Sequence, residues 1–211
     1  MSMKLYGIMV KYPEPGRVKT RLATEIGSSR AAEVCRLLAE DVIKKTRPSG
    51  SDYNTVIFYD PEERLKDFET WLPGNCFIAQ KGSDVGERMD NAVCDLFSMG
   101  AKKAVITGTD IPDLTSAIIA SAFAALDQND IVIGPARDGG YYLIGMKTSH
   151  SEIFRDIKWS TDHVFDQTVR IINSLGLRLS YTPVLSDIDR LEDLIGLNYM
   201  DGPSGPSKAV L

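Results

Sequence analysis

The amino-acid sequence predicts an α/β sandwich with a largely parallel central sheet in one domain. Short apolar runs, typical of buried strands, alternate with longer segments in which apolar residues recur every three or four positions. Pro and Gly stand between several of these segments, where turns are expected. Strands that alternate with helices form mainly parallel sheets with helices packed on the faces. A chain of 211 residues is long enough for such a domain to bury a sizeable core.

Each element has its own signal along the chain. The first strand is the apolar run 5–10, and the first long helix is 28–45, where Cys35, Leu38 and Val42 share one apolar face. Further strands are predicted at 55–59, 76–79, 104–107, 131–133, 142–146 and 178–181, and further helices at 84–97, 116–126, 162–174 and 191–197. We expect the domain to span 1–198. We expect 199–211 to be a disordered tail, because its Gly, Pro and Ser residues offer little apolar surface to offset the entropy of ordering.

The composition argues against several function classes. The formal net charge is −5, so no overall cationic field favours nucleic acid as a partner. No apolar stretch approaches the ~20 residues that cross a bilayer, and the first residues lack the pattern of a signal peptide. The 3 cysteines form no CxxC pair and suit the reduced thiols of a cytosol. We therefore expect a cytoplasmic protein without membrane insertion; the sequence makes no prediction about its oligomeric state.

The loop after the first strand carries the strongest signal for a ligand. Within 11–22, the cations Arg17, Lys19 and Arg21 fall inside the five residues that follow Gly16. Gly frees backbone amides to wrap a phosphate, while Lys and Arg supply charge and forked donors. Ligands of open α/β sheets bind at the carboxyl ends of the strands. We predict that this loop binds phosphate; the alternative is a solvated basic loop.

Acidic residues follow two later strands. Asp110 leaves the strand at 104–107 ahead of a Pro-containing turn, where its carboxylate can hold Mg²⁺ together with substrate phosphates. Asp187 and Asp189 follow the last strand, and their spacing of two points both carboxylates to one side of an extended run. Asp189 is the second predicted metal ligand. The alternatives are an Asx-turn for Asp110 and a helix N-terminus for Asp189.

A pair of glycines marks the loop between the strands at 131–133 and 142–146. Gly139 and Gly140 can adopt positive φ and leave room for a ligand against the backbone. The neighbouring Asp138 could orient a hydroxyl or act as a base. The alternative is a hairpin turn, for which Asp-Gly is a common signal. We predict the acceptor side of a site here.

Four segments of the chain form a specific combination in order. They read K-Y-P-E-P-G-R-V-K-T-R-L, G-T-D-I-P-D-L-T, G-P-A-R-D-G-G-Y-Y-L-I-G and W-S-T. Together they resemble a bacterial family of glycosyltransferases with a GT-A fold, which is related to the nucleotide-diphospho-sugar transferases and the nucleotidylyltransferases. The resemblance covers about 4–194. It implies a single Rossmann-like domain with a mixed, mostly parallel sheet.

The resemblance also implies roles for individual residues. Gly16, Lys19 and Arg21 match the nucleotide-phosphate loop. Asp110 matches the metal-binding aspartate, and Asp189 matches the late aspartate that often completes the metal site. A further segment, G-S-D-V-G-E-R, ends in Arg88 and matches a segment of the family, which implies that Arg88 contacts nucleotide; the alternative is a solvated charge in the first turn of a helix. The implied cofactor is Mg²⁺ or Mn²⁺, and the implied ligand is a nucleotide sugar or a nucleoside triphosphate.

Three functions use these residues differently. In glycosyl transfer, a sugar leaves a nucleotide diphosphate for a small-molecule acceptor, with Asp138 as the base. In nucleotidylyl transfer, an oxygen attacks the α-phosphorus of a nucleoside triphosphate, and Lys19 and Arg21 offset the charge on the pyrophosphate. A nucleotide-binding regulator without turnover is the third, since no D-x-D motif surrounds Asp110. Glycosyl transfer is the leading prediction because the resemblance favours it.

Overall fold

The computed structural model describes residues 3–50 and 52–196, which form seven strands and seven α-helices. The strands are β1 (Lys4–Lys11), β2 (Asn54–Asp60), β3 (Cys76–Ala79), β4 (Lys103–Thr107), β5 (Ile131–Pro135), β6 (Tyr141–Met146) and β7 (Leu179–Tyr181). The helices are α1 (Thr20–Ile26), α2 (Ser28–Lys45), α3 (Leu65–Trp71), α4 (Val85–Ser98), α5 (Ser116–Ala125), α6 (Val164–Ser174) and α7 (Leu191–Gly196).

The seven strands form one sheet in the order β3-β2-β1-β4-β6-β5-β7. Strands β1 to β4 pair in parallel, and β7 pairs in parallel with β5. Strand β6 pairs antiparallel with both of its neighbours, β4 and β5, and is the one described strand that runs against the others. The mixed, mostly parallel sheet of a single-domain α/β fold is therefore confirmed.

Alternation along the strands divides the core into two layers. On β1, Tyr6, Ile8 and Val10 belong to the layer that α2, α3 and α5 cover. Leu5, on the opposite face, belongs to the layer formed with α4 and α6. Successive side chains of a strand point to opposite faces, so one buried strand contributes to both layers. The central strand β4 is buried along its whole length, as expected for a sheet covered on both sides.

The predicted elements are found within one or two residues of their expected bounds, and α2 and β3 agree at both ends. Two short helices, α1 and α3, were not predicted. The residues before them, Lys19 and Arg64, make no side-chain capping hydrogen bond. Without Ser, Thr, Asp or Asn at that position, neither helix has the usual start signal. The predicted loop 11–22 therefore ends in a helix that begins at Thr20.

The described residues end at Gly196. Residues 197 and 198 of the predicted domain and the whole predicted tail, 199–211, lie outside the described residues. Within the described part, no helix is long and apolar enough to cross a membrane.

Candidate functional site

Two adjoining cavities open at the carboxyl ends of β1 and β4. The first cavity, of about 610 Å³, is lined by the cations Lys11, Arg17, Lys19 and Arg88 together with Gln80 and residues 106–110. The second cavity, of about 750 Å³, is lined by Asp138, Gly140 and residues 159–162 together with Arg21 and Asp187. Asp110 and Asp189 line both cavities. The structure therefore places predicted residues of four loops, those after β1, β4 and β7 and the β5–β6 hairpin, around one continuous crevice.

The loop after β1 reaches this crevice through two residues with positive φ. Gly16 has φ 82°, and Lys19, which precedes α1, has φ 46°. The amide of Arg17 donates to the carbonyl of Glu14 at 3.0 Å, which closes the turn that contains Gly16. A left-handed conformation is rare for a residue with a side chain and persists only where the surroundings support it. At Lys19 that support is the ion pair between its buried ammonium and Asp110.

The Lys19 ammonium is the most enclosed charge of the crevice. Its side chain is only 5% exposed, and Nζ lies 2.8 Å from Oδ1 of Asp110. It also donates to the backbone carbonyl of Ile188. Burial alone lowers the pKa of Lys19, but the charge of Asp110 and its hydrogen bond outweigh burial, so the pKa lies above its usual value. Lys19 is therefore a permanent cation beneath the Asp110 carboxylate.

The segment after β7 also forms hydrogen bonds with the residues that follow β4 and β1. The amide of Ile188 donates to the carbonyl of Asp110 at 2.9 Å. The neighbouring Asp189 accepts a hydrogen bond from Nη1 of Arg21 at 2.8 Å. Loop 11–22, Asp110 and Asp189 are thus joined by direct polar contacts, although they are far apart in the chain.

The other predicted nucleotide-binding residues occupy different positions. Arg88 lines the first cavity and pairs with Asp60, with Nη1 3.0 Å from Oδ2. Arg17 also lines the first cavity, but its side chain is 68% exposed and its ion pair with Glu14 is long, at 3.6 Å. Arg21 lines only the second of the two cavities. The predicted loop therefore supplies cations to both cavities.

The Asp-Gly-Gly loop forms the hairpin between β5 and β6, so the hairpin alternative describes its backbone correctly. It also contributes to the second cavity, where Asp138 accepts a hydrogen bond from the amide of Gly140 at 2.9 Å. Gly139 has φ 89°, and a Cβ at this position would overlap the carbonyl group of Asp162. Gly139 thereby lets residues 159–162 lie directly against the hairpin, and Asp138 projects beside them.

Three residues that line the crevice carry no role in the sequence prediction. Gln80, after β3, donates from Nε2 to the carbonyl of Phe58 at 2.8 Å and lines the first cavity. Trp159 of the W-S-T segment covers Gly86, where an added Cβ would lie 2.5 Å from the indole. Asp187 lines the second cavity; burial, then the charge of Asp138, raises its pKa above the usual value. Position after a strand was the available signal for Gln80 and Asp187.

The carboxylates of the crevice suit a metal ion that phosphates help to hold. Among residues 3–50 and 52–196, no three His, Cys, Asp or Glu side chains are arranged to hold an ion by themselves. Asp110 and Asp189 have exposed fractions of 52% and 32% and each contacts one cation. Mg²⁺ commonly takes one or two carboxylates and completes its shell with phosphate oxygens and water. The donor set therefore fits such an ion only together with a phosphorylated ligand.

Comparison with known proteins assigns the chain to a family. Residues 46–161, more than half of the chain, match the model of a family described as "uncharacterized protein conserved in bacteria", DUF2064. The chain belongs to this family. The matched range includes Arg88, Asp110 and the Asp138 hairpin, whereas the cationic loop and Asp189 lie outside it. No functionally curated protein matches the chain.

Solved structures extend the comparison over nearly the whole fold. A "putative nucleotide-diphospho-sugar transferase" from Desulfovibrio desulfuricans G20 is 36% identical, with a TM-score of 0.88 over 93% of this chain and 87% of that chain. A cytidylyltransferase from Leptospira borgpetersenii is 13% identical, with a TM-score of 0.62 over 94% of this chain and 86% of that chain. A Mycobacterium tuberculosis protein in complex with manganese is 12% identical, with a TM-score of 0.54 over 92% of this chain and 97% of that chain. At such low identity, the last two show a shared fold alone.

Proposed function

We propose that this member of the DUF2064 family is a metal-dependent transferase that takes a sugar from a nucleotide diphosphate. One observation carries the proposal: two adjoining cavities of different charge share Asp110 and Asp189. The first, with four cations, suits the nucleotide and its phosphates. The second, with Asp138 on its wall, suits the acceptor. The 36% identity to a structure named for nucleotide-diphospho-sugar transfer supports this choice of donor.

The cations of the first cavity have separate tasks in this proposal. Lys11 lies at the end of β1, and Arg17 is largely exposed, so both can turn toward a diphosphate. Lys19 is held by Asp110 and the carbonyl of Ile188, so it acts on the phosphates from beneath the Asp110 carboxylate. A cation that is fixed before the reaction stabilises the developing charge of the leaving group without reorganisation.

Asp110 and Asp189 would hold Mg²⁺ or Mn²⁺ together with the donor phosphates. When bound, such an ion offsets the negative charge of the departing diphosphate. The Mycobacterium tuberculosis protein that was solved in complex with manganese shares only the fold with this chain. The proposal for a metal therefore depends on the two shared carboxylates.

The transfer step uses Asp138. The acceptor oxygen forms a bond to the sugar carbon while the bond from that carbon to the diphosphate oxygen breaks. The proton of the acceptor hydroxyl passes to the Asp138 carboxylate, which the amide of Gly140 orients at 2.9 Å. The products are a glycoside and a nucleoside diphosphate.

Nucleotidylyl transfer is the second candidate, favoured by the four cations of the first cavity, which also suit a triphosphate. In that reaction an acceptor oxygen would bond to the α-phosphorus, and pyrophosphate would leave. The two reactions differ in their phosphate product. Phosphorus NMR of the reaction mixture therefore separates them: nucleoside diphosphate indicates glycosyl transfer, and pyrophosphate indicates nucleotidylyl transfer.

A thermal-shift panel of nucleotide sugars and nucleoside triphosphates, with and without Mg²⁺, tests the proposal. A ligand at a hundred times its dissociation constant adds about 2.7 kcal/mol, which raises the melting temperature by roughly 5–10 °C in a chain of this size. We expect the shift to require Mg²⁺ and to be lost in Asp110→Asn. Asp113→Asn is the matched control, because Asp113 is exposed and lines neither cavity.

Three outcomes would count against the proposal. If no nucleotide raises the melting temperature, the chain does not bind nucleotides and the proposal fails. If the shift is independent of Mg²⁺, the role of Asp110 in metal binding fails. If nucleotides bind without any turnover over a broad acceptor panel, the chain is a nucleotide-binding regulator.

A further inference from the structure

The charge of the crevice changes sharply between its two cavities. The first cavity is lined by four cations and three aspartates, namely Lys11, Arg17, Lys19, Arg88, Asp84, Asp110 and Asp189. The second is lined by two cations and five aspartates, namely Lys11, Arg21, Asp110, Asp138, Asp162, Asp187 and Asp189. A single fold thus places a cation-rich half, suited to phosphates, against an acidic half.

The two cations of the second cavity are not free to bind an anionic acceptor: one forms an ion pair, and the other also lines the first cavity. Arg21 contacts Asp189 at 2.8 Å. Lys11 ends β1 and lines both cavities, so it lies where the donor phosphates would meet the acceptor. Asp110 and Asp189 are each paired with a cation, so a phosphate or carboxylate on the acceptor would chiefly meet Asp138, Asp162 and Asp187. Like charges in a partly enclosed site repel strongly, so such an acceptor is disfavoured.

The carboxylates are also distributed around the cavity. Asp110 and Asp189 lie on the side shared with the first cavity, Asp138 on the hairpin and Asp162 on the segment after Trp159. Ionised carboxylates only accept hydrogen bonds. Several acceptors spread over about 750 Å³ suit a molecule with several hydroxyl donors better than a molecule with one point charge.

Aromatic side chains complete the wall between these carboxylates. Tyr141 and Trp159 meet edge to face, with ring centroids 6.4 Å apart, and both line the second cavity. Trp159 is fixed in place over Gly86. Aromatic surface offers apolar contact to the C–H groups of a sugar ring, while the carboxylates bind its hydroxyls.

We infer that the acceptor bound in the second cavity is a polyhydroxy compound without a phosphate or carboxylate group, such as a sugar, an amino sugar or a polyol. The inference rests on the proposed function for the role of the cavity as the acceptor side. It adds the chemical class of the acceptor. It also makes a hydroxyl oxygen, not a phosphate oxygen, the attacking atom.

Saturation-transfer NMR on the full chain tests this class, with and without Mg²⁺ and the nucleotide that gives the largest thermal shift. The probes are D-glucose, D-mannose and glycerol, their phosphate monoesters, and D-glucosamine. We expect the neutral probes to bind at least about tenfold more tightly than their phosphate esters, because each carboxylate repels the ester. Glucosamine, whose ammonium group the same carboxylates attract, should bind at least as tightly as glucose.

Reversal of one charge at the rim of the second cavity gives a more specific test. Asp162 is 77% exposed, so Asp162→Lys should fold and should raise the affinity for the phosphate esters by about tenfold. Asp166→Lys is the matched control: Asp166 is exposed on α6 and lines neither cavity, so this change should leave the preference as it is.

Each contrary result has a definite meaning. The inference is overturned if the nucleotide-bound chain prefers the phosphate esters, or if no neutral probe binds. The inference would also be overturned if Asp166→Lys had the same effect as Asp162→Lys. The added charge would then change the affinity for phosphate esters from outside the cavity as well as from within it. Failure of every nucleotide in the thermal-shift panel would instead refute the proposed function. The neutral probes alone would then test the acceptor class, because phosphate esters can also bind among the cations of the first cavity.

Discussion

Lys19 illustrates what a residue type and its position in a loop can predict. The sequence predicts it as a cation beside phosphate, because it lies in a Gly-containing loop after the first strand. The structure places it in the first cavity, but buries its side chain and commits its ammonium to Asp110 and the carbonyl of Ile188. No local pattern could indicate those two partners, because they lie more than 90 residues further along the chain.

Replacement of Lys19 by Met tests both of its roles. Lys19→Met removes the ammonium and leaves a side chain of similar length, so we expect stability to fall by about 1–3 kcal/mol through the lost charged hydrogen bonds. Nucleotide affinity should fall by about tenfold or more. Urea unfolding and nucleotide titration measure the two effects. Lys102→Met, an exposed lysine outside both cavities, is the control; unchanged nucleotide affinity in Lys19→Met would contradict the role.

Cys35 has a chemistry that follows from its place in the first cavity. Burial, followed by the charge of Asp110, raises the pKa of the Cys35 thiol to about 11. At pH 8 its reactive thiolate is therefore scarce, whereas Cys76 is exposed. We expect iodoacetamide to modify Cys76 about a hundredfold faster than Cys35, as followed by peptide mass spectrometry. Equal rates would mean that iodoacetamide reaches Cys35 freely and that the pKa of this thiol is not raised.

At the scale of elements, the β5–β6 hairpin shows that a predicted turn can also line a cavity. Asp-Gly predicts a hairpin turn, and the turn is present. The same turn faces the second cavity because Gly139 has φ 89° and no Cβ, which lets residues 159–162 pack against it. The sequence could predict the turn, since its signal is local. It could not predict which distant segment lies on it.

A pair of glycine substitutions separates backbone strain from this packing. Gly139→Ala should cost about 3 kcal/mol or more, because Cβ adds both positive-φ strain and overlap with Asp162. Gly176→Ala, at φ 68° with no neighbour within 4 Å, should cost only about 1 kcal/mol. Thermal unfolding of both variants measures the difference. Equal losses would mean that the contact with residues 159–162 contributes nothing to stability.

For the whole molecule, the order of the strands decides where the crevice forms. Strand β1 lies between β2 and β4, so the loops after β1 and β4 emerge side by side. Strand β7 lies at the edge of the sheet, yet the segment after it returns to Asp110 through the amide of Ile188. Hydrogen exchange can show whether these distant parts respond to one ligand.

We expect a saturating nucleotide with Mg²⁺ to slow amide exchange at 12–20, 82–88 and 108–110 by up to about a hundredfold, because binding suppresses local opening. Residues 99–102, at the opposite end of β4, should exchange at the same rate as before and serve as the internal control. Mass spectrometry of peptides from labelled protein measures both regions. Uniform slowing along the chain would indicate general stabilisation and contradict a ligand confined to the crevice.

The sequence by itself determined the alternation of strands and helices, the α/β class and the loops in which charged residues concentrate. These features depend on residues close together in the chain, where apolar periodicity and turn chemistry are direct physical signals. The family resemblance added the mixed sheet. The tertiary structure alone decided that Lys19 is enclosed between Asp110 and Ile188, that Trp159 covers Gly86, and that five aspartates meet in the second cavity. Those contacts join residues distant in sequence, and only the packing of strands and helices into one sheet brings them within reach of each other.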